Sequence, residues 1–150
     1  RVSPELMRPG NSFENLFKGA CMSTSEIKTE KAPKAIGPYS QGVRIGRHLF
    51  LSGQIPIEPL TGEVISGTIE AQTRQVLKNL QAVLEEAGAV MGDVVKTTVY
   101  LTDLSAFSEM NAVYGEFFGA PYPARATVGV SALPKGAGVE IDAIAVIGDE

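Results

Sequence analysis

Hydrophobic positions recur along this chain with two different periods. Between residues 68 and 87, Ile69, Val76, Leu77, Leu80, Val83, Leu84 and Ala87 return at the spacing of one helical face. Thr68 suits the N-cap of that helix, Glu70 its first turn, and Gly88 the position just past its end. Phe107, Met110, Tyr114, Phe117 and Phe118 form the apolar stripe of a second helix, capped by Asp103 or Ser105 and running to Phe118. Asn111 falls inside that stripe, where an amide must find partners to offset its desolvation. Pro121 and Pro123 end the helical region.

The remaining apolar runs read as strands. Residues 40–45 and 48–52 flank Gly46-Arg47 as a short hairpin, and Pro56, Pro59 and Thr61-Gly62-Glu63 mark a loop. Residues 94–101 are rich in β-branched side chains. The helix before them is long enough for a crossover, so this strand is expected to lie parallel to an earlier one. Residues 125–132 and 139–147 are the last two strands, separated by Pro134-Lys135-Gly136-Ala137-Gly138. The predicted order β-β-α-β-α-β-β is an α+β domain with two helices on one face of the sheet. In the last strand Val139, Ile141, Ala143, Ala145 and Ile147 line one face, yet Ile144 and Val146 make the other face apolar as well. The chain has no spare helix for that second face, and another copy of the protein is the simplest cover.

Composition narrows the function classes. The 150 residues are 44% hydrophobic with a net charge of −4, and no Lys/Arg cluster appears, which argues against binding nucleic acid by its phosphates. One cysteine, Cys21, and one histidine, His48, cannot form an internal disulfide or a zinc site. His48 lies mid-hairpin in no catalytic pattern and reads as structural. The cysteine usage fits a reducing compartment, cytoplasmic or mitochondrial. No transmembrane-length apolar run is present, and the N-terminal residues lack the apolar stretch expected of a secretory signal. Residues 1–21 differ from the rest and include Glu14-Asn15-Leu16-Phe17-Lys18-Gly19-Ala20, which reads as a vector-derived linker, so the domain is placed at 22–150. Within that tail, Leu6, Met7, Phe13, Leu16 or Phe17 is expected to pack on a neighbouring chain or in a groove.

Several polar residues stand in awkward places. Arg125 interrupts an apolar strand pattern, where its planar, permanently charged group is costly to bury without an anionic partner. Such a fork is shaped for two parallel hydrogen bonds to a carboxylate. Thr127 shares its strand face by period two, and Glu140 opens the last strand. Tyr39 follows a Gly-Pro turn, and Ser52-Gly53-Gln54 ends a strand, with Gly53 permitting close approach. If the last two strands form a hairpin, Glu140 pairs near Ser131 and lies roughly 20 Å along the strand from Arg125. The two can then share a pocket only across subunits.

Ala35-Ile36-Gly37-Pro38-Tyr39-Ser40-Gln41, Ser52-Gly53-Gln54-Ile55-Pro56, Thr61-Gly62-Glu63, Val95-Lys96-Thr97-Thr98-Val99, Asn111-Ala112-Val113-Tyr114, Pro123-Ala124-Arg125 and Val139-Glu140-Ile141 follow one another in order. In this the chain resembles the Rid family of reactive-intermediate (imine) deaminases, also called the YjgF or endoribonuclease L-PSP family, from about residue 27 to 147. The resemblance implies a chorismate-mutase-like fold. It also implies a homotrimer with sheets facing inward and ligand sites in the clefts between subunits. The implied reaction is cofactor-free, metal-free hydrolysis of 2-iminopropanoate and 2-iminobutanoate to 2-keto acids and ammonia. Arg125 matches the family's carboxylate-binding arginine, and Tyr39, Ser52, Asn111 and Glu140 match its pocket residues. Thr127 stands where many members carry cysteine, which assigns the contact there to backbone. Arg125, Glu140 and Ser52 are thus the catalytic candidates, and Arg125, Tyr39, Gly53, Asn111 and Thr127 the substrate-binding ones. The alternatives are an endoribonuclease or translation inhibitor, an activity also attributed to this family, and a non-catalytic trimer that binds small molecules.

Overall fold

The capped periodic segment forms the longest helix, α1 (Ile69–Glu86). Thr68 caps it by accepting from the Ala71 amide at 3.3 Å, and Gly88 follows it at φ +76°, the left-handed turn that favours glycine. The computed structural model describes residues 22–148, so the expected contacts of Leu6, Met7, Phe13, Leu16 and Phe17 lie outside the described residues. Six strands make one sheet: β1 (Thr24–Ile27), β2 (Gly42–Ile45), β3 (His48–Gln54), β4 (Val94–Leu101), β5 (Ala124–Gly129) and β6 (Val139–Val146). Their order across the sheet is β1-β2-β3-β6-β4-β5. The second helix, α2 (Phe107–Phe117), follows a short 3₁₀ turn at Leu104–Ala106, which Asp103 caps by accepting from Ser105 N at 2.9 Å.

Three expectations about the sheet change. A sixth strand, β1, pairs with β2 and was not foreseen. The strand β4 does run in the direction of β3, but β6 is inserted between them, antiparallel to both. The parallel partner of β4 is the later strand β5. The last two strands are therefore not a hairpin: β5 and β6 flank β4 on opposite sides, and β5 ends at Gly129. Alternation fixes which face a residue occupies, but it says nothing about which strand lies next door.

Both helices pack on the same face. Leu77, Leu80 and Leu84 of α1 and Met110 and Val113 of α2 share one buried cluster with Leu49, Val99, Leu101, Val139, Ile141 and Ala145 of the strands. Arg74 on α1 and Glu116 on α2 form a bidentate ion pair across the helix pair. The opposite sheet face has no cover from the described residues. Register places Val43, Phe50, Ile144 and Val146 there as neighbours across β2, β3 and β6. Phe50 is 45% exposed, and Val128 on β5 is 40% exposed. Among the described residues no helix is long and apolar enough to cross a membrane.

Candidate functional site

The predicted site residues separate into two clefts. The first, about 340 Å³, is lined by Asn111, Tyr114, Gly115, Tyr122, Pro123 and Arg125. Parallel pairing sets Arg125 beside Thr97 on β4, and Thr97 is fully buried beneath α2. Arg125 therefore lies on the helix side of the sheet, at the edge strand. Its guanidinium carbon sits 4.6 Å from the centre of the Tyr114 ring and 5.5 Å from that of Phe107, within cation–π range. The Tyr114 hydroxyl is tied to Thr97 Oγ1 at 2.7 Å, which fixes the platform. Burial pushes the Tyr114 phenol above its ordinary pKa.

Nη1 of Arg125 donates to Asn111 Oδ1 at 2.8 Å. Asn111 is exposed, so the expected desolvation cost within the helix stripe does not arise. The amide orients the arginine. Among the described residues no carboxylate pairs with Arg125, so the remainder of its fork is available to a ligand. Thr127, two residues on, shares this face, but its Oγ1 is buried without a hydrogen-bond partner and lies outside the cleft lining.

The second cleft, about 450 Å³, gathers Tyr39, Ser52, Gly53 and Glu140 with Lys34, Gln41, Gln54 and Lys135. A register shift between Leu51 and Gln54 bulges β3 at Ser52-Gly53. That bulge brings the Gly53 backbone under the Glu140 carboxyl. A Cβ at 53 would lie 3.0 Å from Glu140 Cδ and closer still to Oε1, so any side chain there would displace the carboxyl from this position. Ser52 Oγ donates to Ser40 O at 2.6 Å. Its single proton is thus engaged with the backbone, and what it can offer a ligand is a lone pair. Tyr39 is 52% exposed, and its hydroxyl accepts from Ile36 N at 3.4 Å, so it forms part of the cleft rim.

Glu140 faces the open side of the sheet, opposite Tyr100. No hydrogen bond or ion pair holds its carboxyl among the described residues. Burial, with the neighbouring Asp142 charge as a smaller contribution, raises its pKa above the usual carboxylate value. Asp142 itself accepts from the Tyr100 hydroxyl at 3.0 Å. A carboxylate with raised proton affinity is suited to taking a proton from water.

Arg125 and Glu140 stand three residues apart by their partners on β4, Thr97 and Tyr100, or roughly 10 Å along the strand. They lie on opposite faces of the sheet. The hairpin argument for keeping them apart falls with the hairpin, but the faces separate them all the same. One chain brings together Arg125 with Asn111, and Glu140 with Ser52, Gly53 and Tyr39. It does not bring the two groups together.

Two buried amides that sequence reasoning left without a role build the second cleft. Gln41 accepts from Thr29 N at 2.7 Å and donates to the carbonyls of Thr29, Ala32 and Pro33, pinning the segment that carries Lys34. Asn79 on α1 donates to the carbonyls of Ile55 and Ile57 at 3.3 and 2.9 Å. The signal was present, since Asn79 interrupts the apolar stripe beside Leu80. The platform role of Phe107 and Tyr114 was hidden because a stripe of aromatics reads simply as core.

Comparison with known proteins places this geometry. The family model described as endoribonuclease L-PSP matches residues 29–147. A RutC family protein of Pyrococcus abyssi is 56% identical over 124 residues, spanning 83% of this chain and 98% of its own. The human 2-iminobutanoate/2-iminopropanoate deaminase is 46% identical over 122 residues, 81% of this chain and 89% of that one. The crystal structure of E. coli TdcF with bound serine, 47% identical, superposes with a TM-score of 0.79 over 83% of this chain and 99% of that one.

Proposed function

The chain belongs to the endoribonuclease L-PSP family, known also as the Rid family, and on that footing we propose that it hydrolyses reactive 2-imino and enamine acids to 2-keto acids and ammonia. The observation that carries this reading is the Arg125 fork. It is oriented by Asn111, backed by two aromatic rings, and free of any carboxylate among the described residues. A permanent cation held this way is built to receive the acid end of a small metabolite. The activity named for the human relative and the amino acid bound to TdcF both carry such a group.

In the proposed reaction Arg125 grips the substrate carboxylate and so orients the adjacent C=N carbon. Water adds to that carbon while Glu140 accepts its proton. The resulting carbinolamine breaks its C–N bond. The proton on Glu140 goes to the departing nitrogen, and the hydroxyl gives its own to the freed Glu140 carboxylate as the C=O forms, from which it passes to the released ammonia. One protonated imine and one water thus give one 2-keto acid and one ammonium ion. The Ser52 lone pair can accept from the N–H of the iminium.

This chemistry needs both clefts around one substrate, and the two lie on opposite sheet faces of a single chain. The reading therefore includes a homotrimer whose uncovered sheet faces turn inward, so that the Arg125 cleft of one protomer meets the Glu140 cleft of the next. The apolar residues at Val43, Phe50, Ile144 and Val146 support such burial.

The test couples a serine dehydratase, which releases 2-aminoacrylate, to detection of pyruvate. The protein is expected to accelerate pyruvate release, and Arg125→Ala to abolish the acceleration. A protein that leaves the spontaneous rate unchanged overturns the proposal.

A further inference from the structure

Among the described residues Lys135 is the sole non-glycine with positive φ, at +56° with ψ 24°. A side chain bearing Cβ is strained in that region, where glycine or asparagine sits readily. Gly136 follows at φ +69°, so the turn at Pro134–Gly136 is left-handed at two successive residues. The surroundings hold it firmly. Ala137 N donates to Pro134 O at 3.2 Å, Gly138 N to Gln72 Oε1 at 2.8 Å, and Thr102 N to Gly138 O at 3.2 Å. Strain maintained by such a frame concentrates at functional positions.

This strained turn sets Lys135, an exposed residue, at the edge of a cleft. Lys135 lines the 450 Å³ cleft together with Glu140, Ser52 and Gly53. The other lysine of that cleft, Lys34, is paired with Glu30 at 3.4 Å. Lys135 has no ion-pair partner among the described residues. Arg125 on the neighbouring protomer already accounts for the 2-carboxylate in the reaction proposed above, and this inference rests on that reading. A second cation on the Glu140 side is then superfluous for a substrate whose side chain is a methyl or an ethyl group.

We infer that Lys135 selects for a second acid group, so that the substrates include 2-imino acids with a distal carboxylate. Such imines arise where an acidic α-amino acid is oxidised at its Cα–N bond. Their hydrolysis follows the same balance, with water in and ammonium out, while the distal carboxylate meets the Lys135 ammonium.

The experiment compares the wild-type protein with Lys135→Met, which keeps the Cβ, and Lys135→Gly, which relieves the strain. An amino-acid oxidase generates the imines of a dicarboxylic and of an alkyl α-amino acid in situ, and kcat/KM is measured for each. The ratio of the dicarboxylic to the alkyl value is expected to fall about tenfold in both variants, the scale of losing one charged hydrogen bond. Lys135→Gly should also raise Tm, which Lys135→Met should not. A ratio unchanged by both substitutions overturns the inference, as does a wild-type protein that hydrolyses the alkyl imine alone. Should neither imine be hydrolysed, the reaction proposed above fails. Calorimetric binding of a dicarboxylic against a monocarboxylic 2-keto acid then decides the role of Lys135. A preference for the dicarboxylate that Lys135→Met removes supports the inference, and the lack of any preference overturns it.

Discussion

In the proposed reaction Glu140 serves chemistry at the expense of stability. Its pKa is raised in the folded chain, by burial first and by Asp142 second. Folding therefore favours the protonated form, and the stabilising contribution is fully present below the ordinary carboxylate value. It is lost as pH rises through the higher folded value, where the carboxyl must ionise in a partly dry site. Glu140→Gln keeps the shape and removes the charge. Denaturant titrations at several pH values should show this variant more stable than wild type at neutral pH. The gain should shrink as pH falls towards the acid range. The same substitution should abolish imine hydrolysis, and the wild-type rate should decline on the acid side with a midpoint above that of an ordinary glutamate. Equal stability of the two proteins across the whole range would show that the carboxyl is not desolvated as described. Much of this was legible in the chain. The sequence marks Glu140 as a polar residue opening an apolar strand, and Gly53 as a point of close approach. The collision that a Cβ at 53 would make with Glu140 was not legible, because it depends on a bulge that brings together residues 87 positions apart, Gly53 and Glu140 (140 − 53).

At the level of elements, the helices and the face of each strand were readable, and the neighbours were not. The Thr68 cap, the apolar face of α1 and the alternation in β6 all stand as expected, because each depends on spacing within one segment. The insertion of β6 between β3 and β4 depends on which pairs satisfy their backbone across the whole chain. No local pattern encodes that. The loop after β3 likewise owes its position to a distant residue. Asn79 Nδ2 donates to both Ile55 O and Ile57 O, and Gln75 Nε2 donates to Asn79 Oδ1 at 2.9 Å. Asn79→Ala would leave Ile57 O without a partner inside the protein and Ile55 O with the Ile57 amide alone, at 2.7 Å. A loss of about 1–3 kcal/mol is expected from urea denaturation, the scale for leaving one buried carbonyl unsatisfied. Amide exchange at residues 55–57 should quicken beyond the global change. A loss confined to a few tenths of a kcal/mol would mean that water replaces the amide without difficulty.

For the molecule as a whole, the placement of Arg125 and Glu140 on opposite faces makes a prediction that no single-chain site shares. In a trimer with composite sites, each site draws its arginine from one protomer and its glutamate from the next. Arg125→Ala and Glu140→Gln protomers are each inactive alone. Mixed by unfolding and refolding together, they form trimers in which some sites pair an intact Arg125 with an intact Glu140. Random assortment of equal amounts restores about a quarter of the wild-type activity, since each site needs one particular protomer on each side. A site built within one chain would regain nothing, because no protomer in the mixture carries both groups. The uncovered sheet face gives the matching control. Phe50→Lys sets a charge among Val43, Ile144 and Val146 on the face that the proposed trimer would bury, and light scattering should report a smaller species. That variant should lose hydrolysis although Arg125 and Glu140 are both intact. Activity retained by a dispersed monomer would return the site to a single chain. It would also leave the separation of the two clefts by the sheet without a chemical purpose.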